Sequence, residues 1–145
     1  MLVENVVIPE KVTVIEYEVF QGCTSLTDVV IPEGTTSIRG NAFYNCSSLE
    51  SVTIPYSVTN IGNSSFGKCF ELKIASFPYC WLSETTFKGC SKLSTLSIQP
   101  GEERSLPLSK DLKQLWSRYC DHYIPSVTKI WAPDTIIDMF IGRYA

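Results

Sequence analysis

The sequence predicts a repeat solenoid, mainly β, in which short strands of successive coils stack in parallel ladders joined by short helical turns, with a helical C-terminal cap. Three observations predict it. Phe20, Phe43, Phe66 and Phe87 are separated by 23, 23 and 21 positions, and Cys23, Cys46, Cys69 and Cys90 keep the same intervals, as do Leu26, Leu49, Leu72 and Leu93. Pro9, Pro32, Pro55, Pro78 and Pro100 recur at 23, 23, 23 and 22, each closely preceded by an apolar residue from Ile8, Ile31, Ile54, Phe77 and Ile98. A second apolar column runs through Ile15, Ile38, Ile61 and Leu82. Periods between about 20 and 50 residues are the signature of repeat architectures.

Each element of one coil has a physical reason. Leu49 to Ile54 alternates, with Val52 and Ile54 on one face and Ser51 and Thr53 on the other, the period of a half-buried strand. Pro55 lacks an amide proton and holds the residue before it extended, so the ladder is expected to stop there and the chain to turn. A second short strand, Val58 to Ile61, points Val58 and Ile61 inward. Gly62-Asn63 then supplies a turn, as Gly40-Asn41 does one coil earlier. From Asn41 to Cys46 and from Asn63 to Cys69, Phe and Cys fall on one side at i, i+3, as one α or 3₁₀ turn would place them.

A single coil cannot bury its own apolar face; stacking coils about 4.8 Å apart closes a continuous core. Residues 1–100 read as four to five such coils. The last clear unit departs from the pattern, because two residues are missing between Pro78 and Leu82 and Ala75 stands where Val29 and Val52 stand earlier. A local irregularity is expected there. Residues 101–145 read as a capping segment: a helix over 109–120 with Ser109 as N-cap and Leu112, Leu115, Trp116 and Tyr119 as its stripe, a strand over 127–131, and a helix over 134–142 capped by Asp134. Nothing comparable precedes Val6 in the sequence, so the expectation is either an exposed first-coil edge open to self-association or upstream residues that are missing.

Composition narrows the function. A formal net charge of -3 and the lack of a Lys/Arg run disfavour nucleic acid as a partner. No apolar stretch approaches the roughly 18 residues of a membrane span. The sequence as given carries no secretory signal, an expectation that fits an intracellular chain or a fragment of a cell-surface protein.

The run Ala42-Phe43-Tyr44-Asn45-Cys46-Ser47-Ser48-Leu49-Glu50-Ser51-Val52-Thr53-Ile54-Pro55, continuing to Val58-Thr59-Asn60-Ile61-Gly62, resembles the BspA-type leucine-rich repeat. The resemblance covers about residues 6 to 100. Lys129-Ile130-Trp131-Ala132-Pro133-Asp134 is similar to the strand, Pro-Asp and helix that often close such arrays. What the resemblance implies is adhesion or partner binding, since relatives include surface adhesins of oral and gut bacteria and surface proteins of parasitic protists.

Among the residues themselves, the cysteine ladder is the sharpest chemical candidate, as a metal or redox site. Parallel side chains of adjacent coils point the same way, which conflicts with the disulfide torsion, and C-x₂-C spacing is missing. Buried free cysteine packs as a small hydrophobe, and no cofactor or metal is expected. Cys120-Asp121-His122 places a thiol beside the single histidine, but neighbours in sequence rarely face each other, and Glu102-Glu103 lies in a polar linker. No enzyme activity is expected. Asn45-Cys46-Ser47 and Asn63-Ser64-Ser65 match the glycosylation pattern. The lead for function is the outward strand face: Thr27, Asp28 and Val30; Glu50, Ser51 and Thr53; Lys73, Ile74 and Ser76; Ser94, Thr95 and Ser97. Tyr56, Tyr79 and Trp81 lie just past the strand ends as anchors for a protein or glycan partner. A metal or redox thiol ladder, or a structural piece of a longer array, is the alternative reading.

Overall fold

The computed structural model describes residues 3–78, 81–83, 85–99 and 129–131. Four coils contribute two described strands each, the strands Thr95–Gln99 and Lys129–Trp131 extend one series alone, and every strand pair is parallel. The first series is β1 (Asn5–Val7), β3 (Asp28–Val30), β5 (Ser51–Thr53), β7 (Ile74–Pro78), β9 (Thr95–Gln99) and β10 (Lys129–Trp131). The second is β2 (Val14–Ile15), β4 (Ser37–Ile38), β6 (Asn60–Ile61) and β8 (Trp81–Leu82). The second series forms one sheet in the order β2-β4-β6-β8, whereas the first divides into β1-β3 and β10-β9-β7-β5. Between β3 and β5 the ladder is not closed, and the Glu50 amide reaches the Thr27 carbonyl at a long 3.4 Å.

The register follows the repeat. Ile15, Ile38, Ile61 and Leu82 are direct partners along the second sheet. Val29 and Val52 are buried between exposed neighbours in β3 and β5, the alternation a one-sided strand requires. The helices expected over 109–120 and 134–142, with Ser109 and Asp134 as their caps, lie outside the described residues. β10 pairs with β9 in the register Lys129↔Thr95, Ile130↔Leu96 and Trp131↔Ser97.

Two expectations need correction. The ladder does not stop at every proline: β7 runs through Pro78, which is paired with Gln99. The neighbour on its other side, β5, has already ended at Thr53, so Pro78 occupies an edge position where a missing N–H costs no ladder bond. This longer strand lies in the shortened coil where an irregularity was expected.

The other correction concerns the turns. Among the described residues no segment is helical. Amides alternate in direction: Ala42, Tyr44 and Cys46 donate within the turn to Arg39, Asn41 and Phe43, while Asn41, Phe43 and Asn45 donate to Asn63, Ser65 and Gly67 of the next coil. A helix would need all of these amides for itself. The alternation needs left-handed backbone at two columns, Glu18, Asn41 and Ser64 with φ of 62, 59 and 54°, and Gly22, Asn45, Lys68 and Gly89 with φ of 74, 59, 55 and 85°. Register also shows that Gly40-Asn41 corresponds to Asn63-Ser64, one position beyond Gly62-Asn63.

The core lies between the two strand series and the turns. Phe43, Phe66, Phe77, Phe87, Leu26, Leu49 and Leu72 are fully buried, while Phe20, in the first coil, packs partly buried against this cluster. The rings of Phe20, Phe43, Phe66 and Phe87 stack at centroid distances of 5.2, 5.1 and 5.8 Å. That spacing is the coil repeat itself, and it places the rings in the favoured 4.5–7 Å range for aromatic pairs.

Candidate functional site

The cysteine column is structural in its contacts. Cys46, Cys69 and Cys90 each donate a thiol hydrogen bond to the carbonyl of Phe20, Phe43 and Phe66, at 3.2, 3.3 and 3.0 Å. Each acceptor belongs to the preceding coil and already receives the i+3 amide of Cys23, Cys46 or Cys69. The four ladder cysteines are buried and free. Burial, and after it the neighbouring Cys23, pushes the Cys46 thiol up to about 12. The adjoining Cys90 thiol, and then burial, holds Cys69 well above the ordinary range. Thiols held in this protonated form are poor nucleophiles and poor metal ligands. Among the described residues no cluster of three or more His, Cys, Asp or Glu is arranged to hold a metal ion.

Ser and Thr hydroxyls form a second set of inter-coil bonds. Thr27 Oγ1 donates to Glu4 O, Thr36 Oγ1 to Thr13 O, Thr59 Oγ1 to Thr36 O and Ser94 Oγ to Lys73 O, all 21 to 23 positions apart. Two of the residues singled out for binding, Thr27 and Ser94, therefore have their hydroxyls committed to the scaffold.

The outward strand face is organised in three columns by the register. Thr27, Glu50 and Lys73 are exposed and Ser94 half-buried in the column that precedes the strands. Asp28, Ser51 and Ile74 are exposed and Thr95 half-buried in the next, with Ser51, Ile74 and Thr95 direct partners. Val30 and Thr53 are exposed, and Ser76 and Ser97 half-buried, in the third. Val7, paired with Val30, is 73% exposed, Val30 is 49% and Ile74 is 46%, so three β-branched side chains stand in a mostly hydroxylated surface. Of the proposed anchors, Tyr56 is half-buried, Trp81 lies in β8 opposite Asn60, and Tyr79 is outside the described residues, as are the Cys120-Asp121-His122 cluster and Glu102-Glu103.

A groove that the sequence reading did not single out opens beside the second sheet. In the columns after that sheet, Glu16, Arg39 and Gly62 are in register, as are Tyr17, Gly40 and Asn63. A groove of about 540 Å³ lies there, and its lining includes Tyr17, Arg39, Asn41, Asn60 and Asn63 together with Gly40 and Gly62. A Cβ at Gly62 would lie 2.7 Å from the Gly40 nitrogen, so glycine is needed there for the coils to meet. The available signal was the pair of glycines one position out of register with each other.

The fold is similar to that of a leucine-rich repeat protein from Eubacterium ventriosum, at 19% identity and a TM-score of 0.62, covering 88% of this chain and 32% of that one. It is likewise similar to the T. pallidum leucine rich repeat protein, at 19% identity and a TM-score of 0.59, covering 95% and 69%. The chain thus spans about a third of the length of the Eubacterium ventriosum protein. No curated protein matches it. Among the described residues no helix is long and apolar enough to cross a membrane. The model of the BspA type leucine rich repeat region matches residues 2–104 in six copies, and the chain belongs to that family.

Proposed function

We propose that this chain is a non-enzymatic protein-interaction module of the adhesion or surface-antigen type, with the outward strand face as its recognition surface. The observation that carries the reading is the division of labour among columns. The Phe, Cys and Leu columns are consumed by the core, and many hydroxyls by inter-coil bonds. What remains outward is a surface on which Val7 and Val30 of one sheet and Ile74 of the next offer stiff apolar contact area, with Asp28, Ser51 and Thr53 also exposed. Apolar contacts among polar neighbours match the anatomy of protein interfaces, and repeat proteins bind through extended faces of this kind.

A pair of substitutions, Val30→Asp with Ile74→Asp, tests the reading. Both side chains are exposed, so the double variant should fold. A protein captured by the wild-type chain and lost by the folded double variant supports the strand face, and equal capture by both excludes it.

The coil around Val19 and Phe20 provides a second, narrower surface. Phe20 is partly buried while Phe43 and Phe66 are fully covered, and Val19 is 52% exposed. Self-association through this surface would appear as a concentration-dependent mass in sedimentation, suppressed by Val19→Glu.

A further inference from the structure

The groove beside the second sheet has chemistry distinct from that of the strand face. Tyr17 is 63% exposed, with the Arg39 guanidinium 5.3 Å from its ring centroid and Gly40 against its edge. The guanidinium covers part of one face of the ring, and the rest of the side chain stays largely open to solvent. Asn60 and Asn63 are exposed and Asn41 is half-buried, and among the described residues none of their side-chain amides has a hydrogen-bond partner. Each amide offers two donors and an acceptor, which suits a ligand carrying many hydroxyl groups.

Two features narrow the ligand. The Arg39 charge is already matched by Glu16, 3.5 Å away, so the groove presents no uncompensated cation to an anionic group. The strands beneath it have no free edge, since β4 lies between β2 and β6, and β6 between β4 and β8. An extended peptide therefore finds no backbone to pair with, and binding must come from ring contact and side-chain amides.

We propose that this groove binds a pyranose ring of a neutral glycan, with Tyr17 as the stacking platform and Asn41, Asn60 and Asn63 as partners for the sugar hydroxyls. Its volume of about 540 Å³ lies within the range of small-molecule sites. The proposal is independent of the strand face, which belongs to the other sheet.

The test is an NMR titration of the isotopically labelled chain with three neutral probes: maltotriose, cellotriose and chitotriose. At least one should shift the Arg39, Gly40 and Gly62 amides with a dissociation constant of about 1 mM or tighter. Tyr17→Ala should weaken that binding by about tenfold or more, and Asn63→Ala by severalfold, as expected for loss of a stacking face and of one hydrogen-bonding group. Tyr44→Ala, whose ring lies against Gly67, should leave it unchanged. If Tyr17→Ala perturbs the spectrum beyond the groove, Asn60→Ala with Asn63→Ala serves in its place, because both side chains are exposed. Absence of shifts with all three probes at about 10 mM, or full affinity in the variants, overturns the proposal.

Discussion

The Cys69 thiol donates to the carbonyl of Phe43, 3.3 Å away and one coil earlier, so the cysteine column links coils through hydrogen bonds to backbone. Cys69→Ala removes both this bond and a fully buried sulfur. The expected loss is about 1–3 kcal/mol, the sum of a modest hydrogen bond and a small cavity, read from urea unfolding. A loss within error of zero would show that the thiol contributes neither.

The same column sets a pH dependence. The folded Cys46 pKa stands at about 12 against an ordinary 9.0, so above pH 9 the unfolded chain releases a proton that the folded chain keeps. Stability from this group is therefore complete below pH 9 and declines as pH rises toward 12, by up to about 1.4 kcal/mol per pH unit. Cys69 adds to the decline with the same sign. Urea midpoints should fall between pH 9 and 11 in the wild-type chain, and fall less steeply in Cys46→Ala.

Left-handed turn positions give a conformational test. A Cβ at Gly22 meets nothing within 4 Å, so Gly22→Ala is opposed by φ of 74° alone and should cost about 1 kcal/mol. Glu18 holds φ of 62° in the column where Asn41 stands one coil later, and Glu18→Asn should gain about 0.5 kcal/mol. Thermal midpoints moving in opposite directions would establish the backbone origin.

Gly62 tests close approach instead. Its Cβ would meet backbone atoms of Arg39 and Gly40 at 3.0 and 2.7 Å, which no rotamer change relieves. Gly62→Ala should cost about 2–3 kcal/mol, more than Gly22→Ala, because two coils must separate. Equal costs would mean that the contact between coils is compliant.

These contrasts show what the sequence made legible. Intervals of 23 residues located the inward Phe, Cys and Leu columns and the strands, since a repeat must place equivalent residues in equivalent surroundings. The left-handed conformations at Glu18 and Lys68 were not legible, because neither residue type signals that backbone. Nor was the turn: i, i+3 spacing of Phe43 and Cys46 is shared by a helix and by a turn whose alternate amides bond the next coil. Thr27 and Ser94 looked like free surface hydroxyls, and only the neighbouring coil reveals their acceptors. The groove at Tyr17 is lined by residues of successive coils, from Tyr17 through Arg39 and Asn41 to Asn60 and Asn63, a neighbourhood that register alone discloses.

The most direct test of the account measures stability and partner capture together on two sets of variants. Outward substitutions at Val30, Thr53 and Ile74 should reduce capture while leaving the urea midpoint unchanged. Column substitutions at Cys69, Gly22 and Gly62 should lower the midpoint while the remaining folded fraction captures as well as wild type. Loss of capture in a fully folded Cys69 variant, with full capture in the outward variants, would contradict the account by placing recognition in the thiol ladder.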